Sequence, residues 1–219
     1  MPTMPRPLLL GHRGARATRS IPENTIASFD LALAHGCDGF EFDVRRTADG
    51  RAVICHDPTV QGIEIARAGP ADLTGLPELE QILIRYTATA FLDIELKVAG
   101  LERSLLKSLR SHPPQKGYVA TSFLKEVLHA LRGFDDLIVL GFLCETRAQL
   151  EGWNGLPVQY ILPHHTLMDI ELVRGCHGSG RKVIPWTVNH NESMLQFCDM
   201  GVDGLISDDT ETLAQLREQ

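Results

Sequence analysis

LLLGHRGARATRSIPENTIASFDLALAHGCDGFEFDV, residues 8–44, reads as strand, loop, helix and strand in succession. Leu8–Leu10 is a short apolar run that opens into the loop Gly11–Pro22. Ile26, Phe29 and Leu33 recur at helical spacing, which predicts a helix over Asn24–His35 with one apolar face and Asn24 as its N-cap. Gly36 ends that helix, because glycine takes the left-handed conformation without a side-chain clash. Gly39–Val44 follows as a second strand, and a strand–helix–strand unit of this kind builds parallel sheet.

The same alternation continues outward from this unit. Ala52–Cys55 is a short strand beside the second one, Pro58–Pro77 a loop or small insertion, and Glu78–Ile84 a short helix. Further strands are expected at Phe91–Leu96, Tyr118–Ser122, Leu137–Leu143, Tyr160–Leu162, Lys182–Val188 and Gly204–Ser207. Helices are expected at Leu101–Leu109, Leu124–Leu131, Arg147–Trp153, Leu167–Cys176, Glu192–Met200 and Glu211–Arg217. With Ala52–Cys55 counted as an excursion, eight strands each precede a helix, and eight is the number that closes a parallel barrel. The fold class is therefore α/β, a (β/α)8 TIM barrel in a single domain over 1–219 with a short insertion at about 58–77. An open α/β sheet is the alternative.

The chain has 219 residues, 43% of them hydrophobic and 22% charged, which suits one globular domain. Its net charge of −7 excludes a bulk affinity for nucleic acid, which needs clustered Lys and Arg, but leaves room for a small phosphate ligand. No stretch approaches the ~20 apolar residues of a membrane span. The first twenty residues hold only Leu8–Leu10 as an apolar core, short of a signal peptide. Cys37, Cys55, Cys144, Cys176 and Cys198 are odd in number and form no C-x-x-C pair. They read as buried thiols of a cytoplasmic protein, not as a disulfide frame or zinc site. Stable membrane insertion is not expected, and the oligomeric state is left open.

In a barrel, chemistry collects at the C-terminal strand ends, and the reactive residues of this chain fall there. His12 and Arg13 follow the first strand, and His56-Asp57 ends the short third one. Glu41 and Asp43 are two apart on one strand, so both carboxylates share a face; Glu95 and Lys97 repeat the pattern on the next. Two acids this close need a cation between them, or one of them takes a raised pKa. Glu41, Asp43 and Glu95 suit a hard divalent cation, Mg2+ or Ca2+, better than Zn2+. That ion, with Arg13 and Lys97, would hold an anionic group such as a phosphate. His12 and His56 then serve as an acid–base pair. Blander readings exist for each part: ion pairs of Glu41 and Asp43 with Arg45 or Arg46, an ordinary turn at His56-Asp57-Pro58, a Lys97 that only reaches to solvent. Their joint placement at successive strand ends argues for function.

Those residues also carry a family likeness. The run from Gly11 to Asp57, with H-R-G, P-E-N-T, E-x-D-V, T-x-D-G and H-D in order, resembles the N-terminal signature of the glycerophosphodiester phosphodiesterase family. L-D-I-E-L-K around Glu95, V-I-P-W-T-V-N at Val183–Asn189 and V-D-G-L-I-S-D-D at Val202–Asp209 extend the resemblance over nearly the whole chain. It implies a metal-dependent barrel enzyme that hydrolyses glycerophosphodiesters to sn-glycerol 3-phosphate and an alcohol. It also implies His12 and His56 as acid and base, Glu41, Asp43 and Glu95 as metal ligands, and Arg13 and Lys97 as phosphate contacts. Trp186, which spacing alone does not single out, is implied as an aromatic lining the glycerol pocket. Which histidine is the base, and whether water or a glycerol hydroxyl attacks, stay open.

The chain departs from the family pattern after Asp57. It lacks an Arg- and Thr-rich series there, and the following segment is short, which bears on the alcohol released more than on the chemistry. A lysophospholipase-D-like activity and a non-catalytic phosphate-binding barrel are the alternatives. Pro22-Glu23-Asn24-Thr25 is expected to set the turn and helix cap, and Asp208 and Asp209 to cap a loop. His164 and His165 are expected near the active rim, and His35, His112, His129 and His190 on the surface.

Overall fold

The computed structural model describes residues 6–69 and 71–217. The first half of the chain runs β1 (Leu8–Gly11), α1 (Ile26–Ala34), β2 (Gly39–Arg46), β3 (Ala52–Ile54), β4 (Thr59–Val60), β5 (Ile63–Glu64), α2 (Leu79–Tyr86), β6 (Phe91–Leu96) and α3 (Glu102–Ser111). The second half runs β7 (Tyr118–Ser122), α4 (Lys125–Phe134), β8 (Leu140–Cys144), α5 (Arg147–Leu150), β9 (Tyr160–Pro163), α6 (Ile170–Gly178), β10 (Lys182–Val183), α7 (Asn191–Met200), β11 (Gly204–Ser207) and α8 (Thr210–Ala214). Eight parallel strands follow the order β10-β9-β8-β7-β6-β2-β1-β11, with β3 antiparallel on β2. Backbone bonds from Asp203 N to Val183 O (2.9 Å), Ile206 N to Pro185 O (3.1 Å) and Val188 N to Ile206 O (2.9 Å) join the two ends of that path. The result is the expected (β/α)8 barrel, not an open sheet.

Strand alternation sorts the side chains into two layers. Phe40, Phe42 and Val44 of β2 face the helices, where Phe29 of α1 stacks on Phe40 at 4.2 Å. Leu10, Val119, Leu143, Leu162, Ile184 and Ile206 fill the barrel interior. Glu41 and Asp43, in alternation with the outward residues of β2, are buried polar side chains inside.

Several expected boundaries shift. Asn24 is not the N-cap of α1; Thr25 is, its side chain accepting from Ser28 N. The strand expected at Leu137–Leu143 starts at Leu140, and Leu137 is 89% exposed in the turn before it. The helix expected at Arg147–Trp153 is one turn followed by a 3-10 segment at Trp153–Gly155, because Gly152 sits in the left-handed region. The long strand expected at Lys182–Val188 shrinks to Lys182–Val183, although the rest still donates and accepts barrel bonds. The insertion at 58–77 holds the β4–β5 hairpin and its own small core of Val53, Ile65, Ala68 and Leu73. Residue 70 of that segment, and residues 1–5 of the N-terminal stretch read for a signal, lie outside the described residues.

Candidate active site

Glu41 and Asp43 of β2 pair in register with Asp93 and Glu95 of β6, so four carboxylates project into the barrel in two adjacent layers. Oxygens of Glu41, Asp43 and Glu95 lie within 4.8 Å of one another. Two cations balance them. Lys97 Nζ is 2.8 Å from Glu95 Oε1 and 3.3 Å from Asp43 Oδ1, and Arg13 Nε is 3.2 Å from Asp43 Oδ2. Arg45 and Arg46 are not their partners; Arg45 Nε instead donates to the His56 carbonyl at 2.7 Å.

The electrostatics divide the acids. Burial would raise Asp43, but Lys97, Arg13 and the Asn24 amide outweigh it and hold its carboxyl below its ordinary value. Burial, then the charges of Asp43 and Glu95, push Glu41 well up. Burial and Asp43 raise Glu95 to about 7. Asp93, fully buried one layer deeper, rises to about 8 through burial even though Thr121 Oγ1 donates to it at 2.7 Å. At neutral pH the deeper acid is thus largely protonated and the rim acids share too little positive charge. Glu41 Oε1 is buried with no hydrogen bond, and Asp43 Oδ1 and Glu95 Oε1 meet only the ion-pair contacts of Lys97. Buried carboxylate oxygens left in this state are what a hard divalent cation requires, so the donor set fits one.

The loop after β1 brings the next groups. Gly14, at φ +83, lies so close to Ser28 that a Cβ there would sit 2.3 Å from Ser28 Oγ. Only glycine lets the loop fold onto α1 there. Arg13 is itself left-handed at φ 53; its backbone N–H donates to Glu41 Oε2 at 3.0 Å and its guanidinium to Glu23 at 2.7 Å. His12 is held by Asp208, which follows β11: Nδ1 is 2.7 Å from Asp208 Oδ1. A carboxylate only accepts, so the Nδ1 proton is fixed and Nε2, 3.8 Å from Glu41 Oε2, faces the site. Burial lowers the His12 pKa, and the Asp208 hydrogen bond offsets part of that. Asp208 in turn accepts from Asn189 Nδ2 at 2.8 Å and from Arg16 at 3.1 Å. His56 repeats the arrangement at a more exposed position, its Nδ1 2.8 Å from Asp57 Oδ1.

One cavity of about 320 Å3 is lined by His12, Arg13, Glu41, His56, Glu95, Lys97 and Trp186, with Phe123, Leu143, Glu145 and Ile206. Asp43, the remaining residue singled out in the sequence, sits just beneath, against Lys97 and Arg13. Trp186 offers only its ring, because Nε1 is committed to Leu162 O at 2.8 Å, and Phe123 packs edge-on against it at 5.6 Å. His164 backs Trp186 from behind at 5.2 Å, and neither it nor His165 lines the cavity.

Four residues here escape the sequence reading. Asp209 does cap α8, but Asp208 holds His12 instead of a loop. Glu23 and Asn24 do more than set a turn: Glu23 bridges Arg13 and Arg16, and Asn24 Nδ2 donates to Asp43 Oδ2 at 2.8 Å. Asp93 was legible, since the two-residue period that pairs Glu95 with Lys97 extends back to it. Asp208 and Glu23 had no local signal, because their partners lie 196 and 10 residues away.

Comparison with known proteins agrees with this geometry. A glycerophosphodiester phosphodiesterase of Caldanaerobacter subterraneus subsp. tengcongensis is 31% identical over 238 residues, covering 95% of this chain and 97% of the relative. Two solved structures share the fold. A phosphodiesterase of Oleispira antarctica, in complex with the product sn-glycerol-3-phosphate, aligns with TM-score 0.85 at 24% identity, covering 98% of each chain. A glycerophosphodiester phosphodiesterase of Thermotoga maritima aligns with TM-score 0.85 at 22% identity, covering 97% of this chain and 99% of that one. The sequence profile of one family matches residues 12–74 and 81–212, a span that holds every residue of the cavity. With the barrel, the paired histidines and the carboxylate cluster in place, the chain belongs to the glycerophosphoryl diester phosphodiesterase family.

Proposed function

We propose that this chain hydrolyses glycerophosphodiesters to sn-glycerol 3-phosphate and an alcohol, with His12 and His56 as the acid–base pair. The observation that carries the reading is that both histidines, each with Nδ1 held by an aspartate, line one cavity with Arg13, Lys97 and the carboxylate cluster. Glu41, Asp43 and Glu95 would hold a divalent cation, Mg2+ or Ca2+, which supplies charge neutralisation to the phosphoryl oxygens when bound.

The rest is done by the chain's own groups. Arg13 and Lys97 bind the non-bridging oxygens and stabilise charge as it builds on the phosphoryl group. The Asp208 and Asp57 contacts direct Nε2 of each histidine into the cavity. One Nε2 takes the proton of the attacking hydroxyl and the other protonates the leaving oxygen. Trp186 and Phe123 offer ring faces to the C–H side of the glycerol moiety. The lysolipid alternative is not favoured, because none of the described residues of 58–77 lines the cavity and Ile65 and Leu73 are turned into their own small core.

The test is a coupled assay for sn-glycerol 3-phosphate released from glycerophosphocholine, run with Mg2+, Ca2+ or EDTA beside Glu41→Ala. Release that depends on the ion and is lost in EDTA and in the variant is expected. Full activity of Glu41→Ala would overturn the metal-site assignment, and no release with any ion would overturn the substrate.

A further inference from the structure

Asn24 is buried, stands two residues before α1 and is not its cap. Its backbone is left-handed at φ 57, a conformation that only Gly, Asn and Asp adopt readily. Its side chain meets Asp43 twice. Nδ2 donates to Asp43 Oδ2 at 2.8 Å, and Oδ1 accepts from the Asp43 backbone N–H at 3.3 Å. Its own N–H donates to the Arg13 carbonyl at 3.0 Å, in the same residue whose N–H orients Glu41. Gly would suit this backbone but has no side chain, and Asp would suit it but has no donor for a carboxylate. Asn alone meets both demands.

We infer that Asn24 is a positioning residue for the carboxylate cluster. Its amide grips Asp43 by side chain and main chain together, ties up Oδ2, and leaves Oδ1 on the side of Lys97 and Glu95. The inference rests on the reading of Glu41, Asp43 and Glu95 as the ion site. A turn former would be replaceable by glycine; a positioning amide would not.

Asn24→Gly and Asn24→Ala in the full chain separate the two roles. Both lose the amide and its hydrogen bonds to Asp43, but only Ala also strains the backbone, so both are expected to melt below the parent and Asn24→Ala below Asn24→Gly. Crystal structures of the metal-free parent and Asn24→Gly should differ by an Asp43 carboxylate displaced by more than about 0.5 Å, the tolerance of a working site. Calorimetric titration with Mn2+ should show Kd raised by about ten- to a hundredfold in both variants, the usual effect of losing a partner behind a metal ligand. An unmoved Asp43 or a parental Kd in Asn24→Gly overturns the inference, as does a glycine variant that fails to fold. A parent chain that binds no Mn2+ overturns the ion site instead, and the position of Asp43 then decides the role of Asn24 alone.

Discussion

Asp208→Asn should cripple turnover without disturbing substrate binding, for a reason that can be worked through donor by donor. In the parent, Asp208 offers Oδ1 to His12 Nδ1 at 2.7 Å and Oδ2 to Asn189 Nδ2 at 2.8 Å, while Arg16 Nη1 reaches both oxygens at 3.2 and 3.1 Å. Every neighbour is a donor. An asparagine has one oxygen, and the guanidinium and the Asn189 amide compete for it against a neutral imidazole. The charged donor wins, so the new NH2 group turns toward His12 Nδ1, which must become an acceptor. The His12 proton then moves to Nε2, the nitrogen that faces the cavity. Loss of a hydrogen bond to a charged group is worth about 1.5–3 kcal/mol, or roughly ten- to a hundredfold in rate. The wrong tautomer adds to this; the same error in the serine-protease triad costs about 10⁴. We expect kcat in the sn-glycerol 3-phosphate assay to fall by between about 10² and 10⁴, with KM changed less than about threefold because Asp208 does not line the cavity. The pKa assigned to His12 in the pH–rate profile should also move down, since the Asp208 hydrogen bond is what raises it. A variant with kcat within about threefold of the parent and an unchanged melt would refute the tautomer argument.

His12→Ala and His56→Ala should each lower kcat by about 10²–10⁴ with the fold intact by circular dichroism, and near-parental turnover in either removes that residue from the mechanism. The buried acids predict a pH-dependent stability in EDTA. Asp93 at about 8 and Glu95 at about 7 are raised above their ordinary values of 3.8 and 4.5, so the folded chain holds protons that the unfolded chain has released. The stabilisation is complete in acid and lost as pH rises through about 7 to 8, at about 1.4 kcal/mol per pH unit for each proton. That corresponds to about 3–6 °C per pH unit for each proton in a chain of this size. Asp93→Asn should flatten the melting curve between pH 5 and 8; identical slopes in parent and variant would show that Asp93 does not titrate there.

Legibility in the sequence followed range. The βα alternation, the two-residue period of Glu41 with Asp43 and the apolar face of α1 are local, and each reappears in the barrel. Errors arose where distant contacts decide. Asn24 reads as a helix cap because asparagine caps helices, but Asp43, 19 residues on, draws its side chain inward and leaves the cap to Thr25. Leu137 reads as strand by hydrophobicity, but no neighbouring strand pairs with it, and ladder bonds define a strand. Val183–Val188 reads as one strand, but beyond Val183 its bonds to the adjacent strands are too irregular to form a ladder.

The chain alone determined the class of fold and the family, and pointed to seven residues near the strand ends, because strand period and motif spacing are written in neighbouring positions; Trp186 came only with the family resemblance. Only the tertiary structure decided how those residues are set. It brought Asp208 from the last strand to His12 on the first, buried Asp93 among the carboxylates so that its pKa rises to about 8, and gave Asp43 the Asn24 amide in addition to Lys97 and Arg13. Burial and hydrogen-bond partnership are properties of three-dimensional neighbours, and they govern which carboxyl is charged and which imidazole nitrogen carries the proton.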